Sequence, residues 1–253
     1  MINFHCFNFP FLFSIFTHMK HWTTTNNTVI FRVFEKRSNV YLIVCDSLNI
    51  LVDTSRKAYY KEITENLKEI LNPGFSLDYL ILTHTHFDHC ENARKLKEEY
   101  GCKVVVHQSE ADYLRKGSSP LPKATMWISR LALKLQKIFI PKMGRYDPVE
   151  PDIIIEEDQS PSFCKSIQIL HTPGHSVGSI CVIVDQEIAL VGDTLFRVVK
   201  RFIYPPFADQ PIKLMQSWNK LLNTPCKLFL PGHGHMIERD KLKEQYERHT
   251  GDR

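Results

Sequence analysis

Four side chains able to bind a metal ion fall within six residues: His84, His86, Asp88 and His89, in Thr83-His84-Thr85-His86-Phe87-Asp88-His89. They follow directly on the apolar run Tyr79-Leu80-Ile81-Leu82. Three imidazoles and a carboxylate crowded at a strand end repel or compete unless a cation organises them. His84 and His86 are two residues apart, so on an extended chain their rings project to one side and can share an ion. Asp88 and His89 lie just past the strand, turn in another direction and can supply a second ion. Three further candidates sit downstream in Gly-containing turns: His175 in Thr172-Pro173-Gly174-His175, Asp193 in Gly192-Asp193-Thr194 and His233 in Pro231-Gly232-His233-Gly234. His175 completes the first site and His233 the second. The Asp193 carboxylate can offer one oxygen to each metal when two ions stand roughly 3.5–4 Å apart. Any one of these residues is an ordinary loop His or Asp; the set of five His and two Asp is not. Cys90 adjoins the cluster, but the nitrogen and oxygen donors suffice without it.

Two close cations lower the pKa of a shared water, so hydroxide is available near neutral pH to attack a carbonyl or phosphoryl centre. One cation takes the developing oxyanion. Asp88 is the candidate catalytic residue, orienting the nucleophile or passing its proton to the leaving group. No Ser, Cys or Lys nucleophile is required.

The elements that must position these groups are legible as strands and helices. Thr28–Phe34, Val40–Val44 and Asn49–Val52 form an antiparallel meander of β-branched and aromatic residues. A helix from about Lys57 to Leu71 follows, stopped by Asn72-Pro73-Gly74. Strand Tyr79–Leu82 then delivers the His cluster into a loop, ahead of a helix from about Glu91 to Tyr100 and strand Val104–Val106. Ligands at the carboxyl edge of a strand lie where crevices form in layered folds. Further strands are expected at Ile153–Ile155, Ser166–Leu170, Ser179–Val184, Ile188–Val191 and Leu228–Leu230, with helices at about Ile212–Leu222 and after Asp240. Strands followed by a helix, occurring twice, suggest two sheets packed face to face with helices outside, an α+β architecture.

Residues 109–145 break this rhythm. Ser118-Ser119-Pro120-Leu121-Pro122 reads as a linker, and Trp127, Leu131, Leu135 and Ile138 share one face of a basic amphipathic helix that covers the core, closes as a lid or meets a second subunit. Residues 1–20 read as a flexible or mis-assigned extension, with Met19 as the expected start, and 21–253 as one domain carrying this helical insertion. The aromatic-rich leading stretch lacks a basic start and a small-residue cleavage site, and it is too short to span a bilayer. His5, His18, His21 and His249 fall in tails, and His107, His171 and His235 in supporting positions.

The 253 residues are 43% hydrophobic and 24% charged with a net charge of +4, ordinary for a globular chain. That charge has no Lys/Arg stripe of nucleic-acid-binding density and leaves room for a small anionic substrate. Seven dispersed cysteines without a Cys-x-x-Cys pair suit reduced thiols in a cytoplasmic protein. Neither a nucleic-acid nor a membrane partner is expected; a homodimer is compatible.

His84-x-His86-x-Asp88-His89, with His175, Asp193 and His233 following in order, resembles the metallo-β-lactamase superfamily from about Thr28 to Glu238. The resemblance implies a four-layer αββα sandwich of two mixed sheets with a dinuclear centre at one edge, usually zinc, with iron or manganese as alternatives. His84, His86 and His175 would hold the first metal, Asp88, His89 and His233 the second, and Asp193 would join them. Gly192-Asp193-Thr194-Leu195-Phe196 resembles the glyoxalase II-like branch, but too little chain follows His233 for the helical domain that grips glutathione there. Some lactonases of the superfamily place Tyr where Phe196 stands, the lactamases proper usually place Cys where Asp193 stands, and the interval from Asp193 to His233 is too short for the insertion of the nucleic-acid-cleaving branch. The expected activity is hydrolysis of a small ester, thioester or lactone; alternatives are a mononuclear iron sulfur-oxygenase similar to persulfide dioxygenases, a phosphodiester hydrolase, or a non-catalytic binding protein. Arg197, Lys200 and Tyr204 are the candidate substrate-binding residues, the two cations for a carboxylate or phosphate and Tyr204 as an oxyanion donor.

Overall fold

In the computed structural model, residues 19–45, 47–71, 74, 76–125 and 144–251 are described. The expectations for residues 1–18 and for Trp127, Leu131, Leu135 and Ile138 lie outside them. The first sheet runs in sequence order: β1 (His21–Thr23), β2 (Val29–Glu35), β3 (Asn39–Cys45), β4 (Leu48–Val52), β5 (Tyr79–Ile81), β6 (Lys103–His107) and β7 (Ile153–Ile155). Pairing is antiparallel from β1 to β4 and parallel from β4 to β7. The change follows from the connections: short polar turns join the early strands, whereas helical crossovers precede β5 and β6. Those crossovers contain α1 (Tyr60–Ile70) and, after β5, α2 (Phe87–Cys90) and α3 (Ala93–Tyr100); α4 (Gln108–Lys116) follows β6. The second sheet contains β8 (Ile167–His171), β9 (Ile180–Val184), β10 (Ile188–Gly192), β11 (Leu228–Pro231) and β12 (Ile237–Glu238), in the order β12-β11-β10-β9-β8. α5 (Pro211–Leu222) precedes β11 and α6 (Arg239–Thr250) follows β12.

Strand alternation sorts the apolar side chains into three layers. Val40 and Leu42 of β3 join Ile63 and Leu67 of α1 on the outside of the first sheet. Tyr41 and Ile43 of the same strand face inward, against Ile180, Val182 and Val184 of β9. Cys181 and Ile183 then face outward to Leu214, Trp218 and Leu221 of α5. The result is helix, sheet, sheet, helix. Each fully buried Ile, Val or Leu contributes about 1.5–3 kcal/mol to holding these layers together.

Several local expectations are corrected. His21 and His249 are not in tails: His21 pairs with Phe31 in the sheet, and His249 stacks on Tyr204 with ring centroids 4.9 Å apart. The helix expected from Glu91 to Tyr100 begins at Ala93, and a separate turn of helix, Phe87–Cys90, precedes it. The linker at Ser118–Pro122 is anchored. Ser118 bridges Arg145, Ser119 N donates to Gly144 O at 3.0 Å and Tyr146 N to Gly117 O at 2.8 Å, so the two ends of the insertion pair as a closed stem. Beyond it, Thr125 N and Ala208 N donate to Pro206 O and Lys123 O, which ties Lys123–Thr125 to the segment after β10.

Candidate metal centre

The seven residues singled out from the sequence meet at the seam between the sheets. His84, His86, Asp88 and His89 come from the loop and helical turn after β5, His175 from the turn after β8, Asp193 from the end of β10 and His233 from the end of β11. They form three overlapping groups, His84–His86–His175, His84–His89–Asp193 and Asp88–His89–His233, within each of which the ligand atoms lie within 4.8 Å of one another. Each group draws on both sheets. His86 Nδ1 and His175 Nε2 are 2.9 Å apart, and His89 Nε2 and His233 Nε2 3.2 Å. Asp193 sits between them, with Oδ1 3.3 Å from His89 Nε2, and Oδ2 3.5 Å from His175 Nε2 and 3.4 Å from His233 Nε2. Asp88 Oδ2 lies 3.6 Å from His233 Nε2.

The far sides of His84, His89 and His175 are spoken for, which sets their tautomers. His175 Nδ1 donates to Phe207 O at 2.9 Å and His89 Nδ1 to Asp53 Oδ2 at 2.8 Å, leaving both Nε2 atoms bare. Thr83 Oγ1 donates to Asp53 and stands 3.1 Å from His84 Nδ1. His84 Nε2 is then a bare lone pair, and it is buried without a hydrogen-bond partner, as is Asp193 Oδ1. Two buried acceptors without a hydrogen bond, in one group whose ligand atoms lie within 4.8 Å of one another, cost free energy unless a cation meets them. The charge states agree: burial, reinforced by neighbouring rings, drives His84 well below its usual pKa, and burial brings His86 and His175 down to about 4. Burial also works against protonation of His89 and His233, but Asp193 and the second carboxylate beside each, Asp53 and Asp88, outweigh it and raise them. Burial opposes ionisation of Asp193, yet His233, His89 and His175 hold it well below the carboxylate range. Neutral His84, His86 and His175 around the ionised Asp193 fit a divalent cation, which would take the place of the protons held by His89 and His233.

Asp53, which no motif in the sequence marks, orients two of the ligand candidates. It follows β4, which runs parallel to β5, so it emerges beside the His segment. Its carboxylate accepts from Thr83 N, Thr83 Oγ1 and His89, from a backbone held at φ +61°, a left-handed conformation that costs energy and recurs at functional sites. Glu110 of α4 is a second omission: buried, it accepts from Thr85 N and Oγ1, Ser176 Oγ and Gly178 N, joining the loops that carry His84–His86 and His175. An acidic residue after a buried parallel strand, or on a helix face among apolar neighbours, is the only signal the sequence offers for either. Gly232 is required by packing, since a Cβ there would stand 2.6 Å from Asp193 Oδ1 and His89 Cε1.

The proposed substrate residues do not converge with the seven. Arg197 turns its guanidinium to Met236 O, bracing the His233 loop from behind, and Lys200 is exposed. Tyr204, its hydroxyl pKa raised by burial, stacks on His249. His107 and His171 stack on each other across the seam, centroids 4.0 Å apart. The Asp88 side chain keeps 23% of its exposure and His233 11%, against 2% or less for His84, His89 and His175, so the centre opens on the Asp88–His233 side. Phe196 stands at that opening, 4.7 Å from the His233 ring. Among the described residues, no helix is long and apolar enough to cross a membrane.

Residues 34–233 match the sequence profile of the family described as the metallo-beta-lactamase superfamily. A probable metallo-hydrolase of Methanocaldococcus jannaschii is 28% identical over 80% of this chain and 90% of its own length. An acyl-coenzyme A thioesterase of Gallus gallus is 26% identical over 64% of this chain and 58% of its own. A crystal structure of a protein in a di-iron-bound form superposes with a TM-score of 0.60 at 23% identity, covering 83% of this chain and 93% of that one. With the ligand order, the two-sheet seam and the matched span agreeing, this chain belongs to the metallo-β-lactamase superfamily.

Proposed function

We propose that the protein is a hydrolase of small esters, thioesters or lactones that works with two divalent metal ions, zinc in the first instance. The observation that carries this reading is the pair of orphaned atoms, His84 Nε2 and Asp193 Oδ1, within a ring of donors from both sheets. His84, His86 and His175 would hold one ion, Asp88, His89 and His233 the other, with Asp193 shared. Bound there, the ions would supply Lewis acidity toward a carbonyl oxygen and make water nucleophilic near neutral pH. The chain's own residues do the rest. Asp53, Thr83 and Phe207 O hold the imidazoles in their tautomers; Asp88, partly open to solvent, orients the attacking water and receives its proton for the leaving group. A donor set of nitrogen and oxygen without thiolate accepts zinc, iron or manganese, and the neighbour solved with two irons shows that such a fold carries iron. The relative named as an acyl-coenzyme A thioesterase favours a thioester among the three substrate classes.

Elemental analysis of purified protein, paired with a panel of esters, thioesters, lactones and phosphodiesters, tests the reading. Two metal equivalents per chain with turnover of a carboxylic ester or thioester is the expected result. A single iron with oxygen-dependent turnover of a sulfur compound would replace it.

A further inference from the structure

A cavity of about 920 Å³ lies beside the open side of the metal centre, at the upper end of the range for small-molecule sites. Its walls include Phe196, Val198, Val199, Phe202, Ile212 and Met215. Exposed large hydrophobic side chains are few among the described residues, and four of the five, Val198, Val199, Phe202 and Ile212, line this one cavity, with exposures of 57%, 59%, 55% and 79%. Scattered apolar residues on a surface need no explanation, but their concentration in one concavity marks a binding site. The cavity adjoins the centre through two shared contacts. Phe196 lines it and packs 4.7 Å from the ligand candidate His233; Pro206 and Ala208 line it on either side of Phe207, whose carbonyl holds His175.

We propose that this cavity binds the hydrocarbon tail of an acyl substrate, so that the enzyme hydrolyses medium- to long-chain acyl esters or thioesters in preference to acetyl compounds. The assignment rests on the hydrolase reading and specifies its substrate. A carbonyl lying between Asp88 and His233 would lead its tail past Phe196 into the apolar walls. Water supplies the oxygen that bonds to the acyl carbon, the bond to sulfur or oxygen breaks, and a fatty acid and a thiol or alcohol leave; no redox partner is needed. The lining is mostly aliphatic and aromatic, with Lys123, Thr125, Asp209 and His249 among it, and offers a flexible alkyl chain contact along most of its length.

Two measurements test this together. With metal-loaded protein, kcat/KM for matched oxygen-ester and thioester series, from acetyl to dodecanoyl, should rise about two- to fourfold per methylene before levelling off; comparison of the two series identifies the leaving group. Metal-free protein should bind dodecanoate saturably in displacement of a fluorescent fatty-acid probe. Ile212→Glu and Val199→Glu, at exposed positions where the fold tolerates charge, should weaken that binding at least tenfold and flatten the chain-length profile. Acetyl turnover with a flat profile and no dodecanoate binding would overturn the cavity assignment while leaving the hydrolase intact. Saturable binding lost in both variants, without turnover of any ester, would leave the cavity standing and remove the hydrolase. A rising profile unchanged by either substitution would move the tail elsewhere. A dimer that the two substitutions split into monomers, with a flat profile, would give this face to a second copy instead.

Discussion

The two sheets contribute to the centre in opposite ways. The first supplies four donors from one continuous stretch, His84 to His89, of which a side chain, Asp53, holds His89 directly and His84 through Thr83. The second supplies one donor from each of three separate turns, and its His175 is oriented by a backbone carbonyl, Phe207 O. Neither sheet completes any of the three ligand groups alone. The centre is therefore a clasp across the seam, dense and side-chain-tuned on one side, dispersed and set by backbone on the other.

The sharpest way to break this contrast is at Asp88. Its side chain is partly exposed and supports no packing, so Asp88→Ala should leave the fold near intact while kcat/KM falls roughly 10²–10⁴-fold. Unchanged kinetics would remove Asp88 from the mechanism. Removal of metal tests the clasp as a whole. If ions bridge the sheets at concentrations about a thousandfold above their dissociation constant, chelation should cost about 4 kcal/mol, a drop in Tm of roughly 8–16 °C. Equal melting with and without chelator would mean that the seam does not depend on them. Asp53→Asn isolates the side-chain-tuned half: metal affinity should fall about 10–100-fold, read by competition with a chelating dye. A smaller effect would show that Thr83 and packing suffice to hold His89 and His84.

The mildest test uses a seam contact that has no metal. His107 of β6 stacks on His171 of β8, and burial, with His171 beside it, brings the His107 pKa from 6.5 to about 4. The folded protein thus binds fewer protons than the unfolded chain between those values. Stability from this group is complete above pH 6.5 and is lost as pH falls toward 4. In His107→Phe, which keeps a ring but cannot titrate, the loss on going from pH 7 to 5 should be smaller by on the order of 1 kcal/mol in urea unfolding. Parallel losses in both proteins would place the acid sensitivity elsewhere.

The same asymmetry decides what could be read from the chain. The β5 cluster is legible because local density of donors has few structural explanations, and the buried strands around it have strong β propensity. His175, Asp193 and His233 are legible only as companions to that cluster. Asp53 and Glu110 leave only their placement beside apolar residues as a signal, because a carboxylate that accepts hydrogen bonds from distant loops looks like any surface acid until the fold buries it. Short edge elements such as β1 and β12 escape for a related reason: two or three residues paired at a sheet margin lack a period to detect. Arg197 shows the opposite difficulty, since a cation beside a ligand loop reads as a substrate contact from the sequence, whereas its bond to Met236 O is visible only in the fold.

The paired neck at Gly117–Ser119 and Gly144–Tyr146 carries a practical consequence for anyone redesigning this protein. The neck is coupled to the ligand loop, because Ser119 Oγ donates to Thr85 O, between His84 and His86, so a change at Ser119 reaches the imidazoles. Lys123–Thr125 carries a second coupling, for those three residues clamp the strip that presents Phe207 O to His175.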